Sequence, residues 1–189
     1  MPGEARKLGG VERYVAFLRG MNLGNRRIKN DELRRCFEAL GLTDVACFRA
    51  SGNVIFGSEG ADGEELTERI ESGLGKSLGY QVPVFLRGAA ELRAMAAHEP
   101  FERSVLAASK GKVQVALLGR KPAAASRKEA LALSSDDDRL VVEGRELYWL
   151  PRGGMSDSEL DLKSIGEALG PHTIRTKGTI DQVAAKHFS

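Results

Sequence analysis

Apolar residues along this chain recur with two different periods, and the order in which those periods alternate predicts the elements. Residues 11–18, VERYVAFL, are rich in β-branched and aromatic types and read as a first strand. Residues 19–29, RGMNLGNRRIK, hold two glycines, two asparagines and four cationic side chains, the composition of a loop. Asn30 is placed as the N-cap of a helix with Asp31 and Glu32 in its first turn, Leu33, Phe37 and Leu40 along one face, and Gly41 as its stop. Residues 45–49 (VACFR) and 54–56 (VIF) are short apolar strands joined by ASGN, a hairpin composition. Leu66, Ile70 and Leu74 repeat at spacing four across a second helix over 63–79, and QVPVFLRG reads as a fourth strand.

AAELRAMAA (89–97) predicts a connecting helix that ends around His98 to Pro100. The pattern then begins again. KVQVALLG (112–119) is a strand and PAAASRKEALAL (122–133) a helix opened by proline. RLVVEGRELYWL (139–150) is a hairpin turning at Glu143-Gly144, and SELDLKSIGEALG (158–170) the next helix, with Ser156 to Glu159 as its capping stretch. HTIR is a short strand before a last helix from about Thr179. The order β-α-β-β-α-β thus occurs twice, which predicts an α+β protein of two ferredoxin-like subdomains with helices packed on mixed or antiparallel sheets. The expected organisation is a frayed segment over 1–10, a first subdomain with the connecting helix over 11–100, and a second with a C-terminal helix over 101–189.

Composition narrows the function classes. At 42% hydrophobic and 29% charged residues, the 189-residue chain is far from the pattern of disorder. A net charge of +2 makes the whole molecule no magnet for nucleic acid or anionic lipid, so a basic site has to be local. MPGEARKLGG carries no apolar stretch of signal-peptide length, and no run approaches the roughly 20 apolar residues of a membrane span. Cys36 and Cys47 are too few for a disulfide framework and read as free thiols. A cytoplasmic protein with no membrane partner is expected, and composition selects no oligomeric state.

Three segments, LRGMNLG (18–24), ASGNVIF (50–56) and TIRTKGTI (173–180), in this order and spacing, resemble the bacterial family catalogued as domain of unknown function 1697. The resemblance runs from about Tyr14 to about Ala185, and its first two motifs match closely. The third departs from the family's Thr-x-Arg-Asn-Trp-Asn-Thr: Thr173, Arg175 and Thr179 match, but Thr176, Lys177 and Gly178 stand where Asn, Trp and Asn are expected. The resemblance implies an α+β fold with two related subdomains, and it implies no established activity, substrate or cofactor.

In a ferredoxin-like unit strands one and two run parallel with strand three between them, so the end of strand one and the turn between strands two and three share an edge. Arg19, Asn22 and Gly24 are therefore expected beside Ser51, Gly52 and Asn53, near the start of the first helix. Segment 19–35 holds six basic residues (Arg19, Arg26, Arg27, Lys29, Arg34, Arg35) against two acidic ones, a local excess of four positive charges. Glycines that let backbone approach, a helix N-terminus and nearby guanidinium groups suit a phosphate or carboxylate. The plainer reading, which carries more weight residue by residue, is that the glycines and asparagines serve turn geometry and the cations are solvated. Arg175, with Thr179, is a further candidate for a ligand pocket, against a plainer reading as a buried structural ion pair.

Other chemistry is thinly represented. The loop matches neither G-x-x-x-x-G-K-[ST] nor G-x-G-x-x-G, and Ser51 is not in a G-x-S-x-G elbow. His98, His172 and His187 have no partners at metal-ligand spacing, so no metal or cofactor is assigned. Asp136 to Asp138 read as a solvated turn. RNA binding of the RNA-recognition type needs aromatics displayed on the central strands, whereas NVIFGS holds only Phe56, so nucleic acid is the less favoured partner. The leading expectation is a binding protein for a small anionic or nucleotide-like ligand at the loop after the first strand. The alternatives are an enzyme whose catalytic set is not legible, or a nucleic-acid or protein interaction module.

Overall fold

The run VERYVAFL forms strand β1 (Glu12–Leu18), which pairs antiparallel on both of its sides. After it come helix α1 (Asn30–Glu38), strands β2 (Thr43–Cys47) and β3 (Asn53–Ser58), helix α2 (Gly63–Leu78) and strand β4 (Val84–Gly88). The structure, a computed structural model, describes residues 10–21, 24, 27–49, 52–60 and 62–189. The first sheet has the order β2-β3-β1-β4 with every neighbouring pair antiparallel, so β1 and β2 are parallel with β3 between them. That is the ferredoxin-like arrangement.

Helices α3 (Ala89–Ala97) and α4 (Arg103–Ala108) precede a second series: β5 (Gln114–Leu118), α5 (Ala124–Leu131), β6 (Asp138–Glu143), β7 (Glu146–Pro151), α6 (Leu162–Leu169), β8 (His172–Thr176) and α7 (Lys177–His187). Its sheet, β6-β7-β5-β8, repeats the first order and is again antiparallel throughout. The chain divides into two units, Met1–Ala89 and Ala90–Ser189. Helix α3 is tied within the second, where the Arg93 guanidinium donates to Phe188 O at 3.1 Å and Glu91 pairs with Arg145 at 2.6 Å.

Local chemistry explains the helices. Asp62 caps α2 by accepting from the N–H groups of Glu64 and Glu65 at 2.9 Å, and Gly79 ends it in the left-handed conformation. The stripe Leu66, Ile70 and Leu74 is fully buried against Tyr14, Ala16 and Leu18 of β1 and Val54 and Phe56 of β3, with Leu33 and Phe37 of α1 completing the layer. Each such side chain contributes about 1.5–3 kcal/mol by leaving water. Gly73 permits a close approach, because a Cβ there would lie 2.5 Å from Leu40 Cδ2. In the second unit Ala116, Leu118, Leu140, Val142, Leu147 and Trp149 pack under Ala130, Ile165 and Leu169.

Several local expectations are corrected. Lys29, not Asn30, is the N-cap of α1, and it contributes no side-chain bond; Asn30 is the first helical residue and reaches across to Arg49 O at 3.4 Å. Ser156 to Glu159 do not cap α6, because Asp161 does so by accepting from Lys163 N at 3.0 Å and Ser164 N at 3.1 Å. The last helix begins at Lys177 with Thr176 as its cap. Helix α4 had no apolar stripe to announce it, since none of its six residues is buried. No helix among the described residues is long and apolar enough to cross a membrane.

Candidate functional site

The end of β1 and the turn between β2 and β3 meet directly. Phe17 pairs with Asn53, and Leu18 N donates to Gly52 O at 2.8 Å. On the other side Arg19 N donates to Pro83 O at 3.0 Å, so the main chain at Arg19 is held from both flanks while its side chain is exposed. Gly52 is buried with φ +68°, and a Cβ there would stand 2.9 Å from Met21 Cγ and 3.1 Å from Leu18 Cβ. Only glycine combines that dihedral with that clearance. Gly24 also has a positive φ, +61°, but is exposed with nothing within 4 Å of its absent Cβ.

Asn53 is 1% exposed, and its amide donates to Phe48 O at 3.1 Å while its own carbonyl accepts from Phe48 N at 2.9 Å. Those two bonds close the turn, which makes Asn53 a positioning residue. Arg49, which sequence reading passed over, sits in this turn at φ +59°, uncommon for a side chain with a Cβ. Its guanidinium carbon lies 5.4 Å from the centroid of the Phe48 ring. Two weak contacts connect the turn and β2 to α1, from Asn30 Nδ2 to Arg49 O at 3.4 Å and from Cys47 Sγ to Asn30 O at 3.5 Å. Asn22 and Ser51 lie outside the described residues.

Electrostatically the region is cationic at its rim. Arg19, Arg27 and Lys29 are exposed and make no ion pair among the described residues. Arg34 is shared between Asp31 at 3.8 Å and Glu38 at 3.7 Å, exposed contacts of small energetic weight. Burial pushes the Cys47 thiol above its ordinary 9.0, Arg34 opposes the rise and Asp31 adds to it, so Cys47 is a neutral thiol at neutral pH.

Arg175 and Thr179 belong to the second unit. Arg175 faces Val115 across the β5–β8 pair and donates to Thr173 Oγ1 and Ile174 O, both at 2.9 Å; burial pushes its guanidinium down to about 10. Thr179 is 7% exposed, and its N–H and hydroxyl both meet Thr176 Oγ1, at 3.2 and 2.9 Å. The family-motif positions that depart in this chain therefore form the cap and first turn of α7.

Clefts elsewhere among the described residues, three of them large enough to matter here, are lined by other residues than the predicted site set. One of about 590 Å³ lies between α2 and the segment Gly79–Pro83. Two of about 300 and 770 Å³ lie in the second unit and share Ala108 and Arg152. The larger includes Asp138, which the expected solvated turn misplaces. Asp138 is 4% exposed and accepts from Trp149 Nε1 at 2.7 Å and Ser158 Oγ at 2.6 Å, whereas Asp136 and Asp137 are exposed and pair with Arg139 and Arg152. The signal was strand parity: Asp138, Leu140 and Val142 alternate along β6, so an aspartate sits on the core face. Among the described residues no group of three or more His, Cys, Asp or Glu is placed to hold a metal ion.

Two β-α-β-β-α-β units with antiparallel four-stranded sheets define an α+β protein of ferredoxin-like architecture. The chain belongs to the family described as "Protein of unknown function (DUF1697)", which it matches over residues 11–148. That stretch contains the first two motifs; the third lies beyond it. The solved structure of a conserved bacterial protein from Streptococcus pneumoniae is similar to this chain with a TM-score of 0.67 at 19% identity, covering 93% of this chain and 98% of that one. At that identity the likeness is one of fold. Comparison with curated proteins found no match.

Proposed function

We propose that this protein binds a small anionic or nucleotide-like ligand at the loop that follows β1. The observation that carries the reading is the junction of the two motifs, where Leu18 N meets Gly52 O at 2.8 Å next to the exposed Arg19. In this reading Arg19 supplies charge, Gly24 leaves room for a ligand to approach the backbone, Gly52 lets the turn pack against Leu18 and Met21, and Asn53 holds the turn in shape. Asn22 and Ser51 complete the set from the sequence motifs. The local bonds of Arg175 and Thr179 favour a structural role in joining β8 to α7.

Burial of the central strands weighs against base stacking on the sheet, because Tyr14, Phe17, Phe56 and Phe85 are each 9% exposed or less. The thiols of Cys36 and Cys47 are free, which supports a reducing compartment such as the bacterial cytoplasm. The test is a thermal-shift screen of the full chain against nucleotides, sugar phosphates, organic acids and short RNAs at low and raised salt. A ligand at a hundredfold its dissociation constant stabilises by about 2.7 kcal/mol. Small-anion hits abolished by Arg19→Ala support the site. Hits unchanged in Arg19→Ala, or a response to RNA alone that collapses with salt, refute it.

A further inference from the structure

Strand pairing sets a row of side chains across the first sheet. Phe85 of β4 faces Phe17 of β1, and Phe17 faces Asn53 of β3. The ladder continues one residue beyond β2, where Phe48 N donates to Asn53 O at 2.9 Å. Paired residues share a face, so Phe48, Asn53, Phe17 and Phe85 lie on the side of the sheet opposite α1 and α2. The inner aromatics are closed off, with Phe17 at 0% and Phe85 at 4% exposure. Phe48, at the outer end of the row, is half-buried, and the guanidinium carbon of the exposed Arg49 stands 5.4 Å from its ring centroid.

Arg19 belongs to the same face. Its N–H donates to Pro83 O at 3.0 Å, which extends the β1–β4 ladder by one residue, and it follows Phe17 by two positions, so strand alternation puts both on one side. β3 lies between β1 and β2, which makes two spacings of about 4.8 Å, and two residues of strand add about 6.6 Å along the chain. The backbones of Arg19 and Phe48 are therefore roughly 12 Å apart, a distance that a mononucleotide and an extended arginine side chain span together. An inorganic anion reaches only one end of it. A flat base between Phe48 and Arg49 needs about 7 Å, two layers of about 3.5 Å, where the present separation is 5.4 Å. Arg49 is exposed, so its side chain is free to swing outward by the difference.

We infer, on the reading of this loop as an anion site, that its ligand is a free nucleotide, with the base stacked between the Phe48 ring and the Arg49 guanidinium and the phosphate held by Arg19. Asn53 then has a defined part, because its amide donates to Phe48 O at 3.1 Å and fixes the main chain that carries the stacking ring. Stacking on an aromatic ring and under a guanidinium tolerates any base, so the site selects for a base joined to a phosphate rather than for one base.

The test is calorimetry of the full chain with adenosine 5′-monophosphate, ribose 5-phosphate, adenosine and a trinucleotide of adenylate. The monophosphate is expected to bind at least about tenfold tighter than ribose 5-phosphate, within the range that one stacked base supplies. Phe48→Leu and Arg49→Gly should each bring that ratio down to about twofold or less. Arg49→Gly also suits the φ of +59° at this position, so the fold tolerates it. Arg19→Ala should remove the advantage of the monophosphate over adenosine. Equal affinity for the two phosphates, lost in Arg19→Ala, overturns the nucleotide and leaves the anion site standing. A ratio unchanged in both Phe48→Leu and Arg49→Gly overturns the stacking. A trinucleotide bound more than about tenfold tighter than the monophosphate assigns the surface to a nucleic-acid strand and overturns the free nucleotide. Binding of none of the four overturns the inference, while the screen with organic acids decides the anion site separately.

Discussion

Two glycines with nearly the same dihedral show how much a single residue's surroundings matter. Gly24 and Gly52 have φ of +61° and +68°, yet a Cβ at the first meets nothing within 4 Å, while at the second it meets Met21 and Leu18 at 2.9 and 3.1 Å. Gly24→Ala should lower stability by about 1 kcal/mol, the cost of a left-handed alanine. Gly52→Ala adds steric overlap in a buried turn and should cost about 2–4 kcal/mol. Urea denaturation of both variants checks the pair, and equal losses would mean that Met21 gives way freely. Asp138 carries the same lesson for charge: its neighbours in sequence are solvated, and strand parity alone sets it inside.

At the scale of elements, caps and stripes account for where helices begin and what they bury. Thr176 accepts from Thr179 N at 3.2 Å to open α7, so Thr176→Ala should destabilise by about 1 kcal/mol while Thr176→Ser stays close to wild type. Thermal melts of the two variants separate the hydroxyl from the residue's bulk. Helix α2 depends on its stripe instead. Ile70 is fully buried under β1 and β3, and Ile70→Ala should cost about 2–5 kcal/mol, read as a lowered urea midpoint with unchanged slope. By contrast α4 buries nothing, so alanine substitutions on its exposed face should change stability little.

For the whole molecule, pH links stability to groups whose shifts differ in sign, Asp161 on the acid side and Cys47 on the alkaline side among them. Asp161 is held below its ordinary 3.8, chiefly by the hydroxyl of Ser164 and then by the N–H groups of Ser164 and Lys163. Its contribution is fully present above the unfolded value and is lost as pH falls through the lower folded one. Cys47 is raised above 9.0, mainly by burial, so its folded state holds the proton longer than the unfolded chain does. That contribution is present below about 9 and disappears as pH climbs through the higher folded value. Urea midpoints across pH should show the difference between wild type and Asp161→Asn fading in acid. Cys47→Ala should flatten the alkaline arm, and an alkaline decline identical in both proteins would show that Cys47 does not drive it.

The repeated β-α-β-β-α-β order was legible in the chain because it depends on local periodicity: Leu66, Ile70 and Leu74 at helical spacing, VERYVAFL and KVQVALLG as strands, Gly79 and Gly144 as punctuation. The meeting of LRGMNLG with ASGNVIF was also legible, since strand order in this architecture follows from connectivity. What lay beyond the pattern were facts that depend on partners distant in sequence. Arg49 adopts a left-handed backbone conformation in a turn that Asn53 closes, Arg175 and Thr179 fall in a different unit from the loop, and Asp138 pairs with a tryptophan eleven residues away. Periodicity reports which face a residue occupies along its own element, but the charge, donors and free space it meets there are set by whichever other element packs against that face.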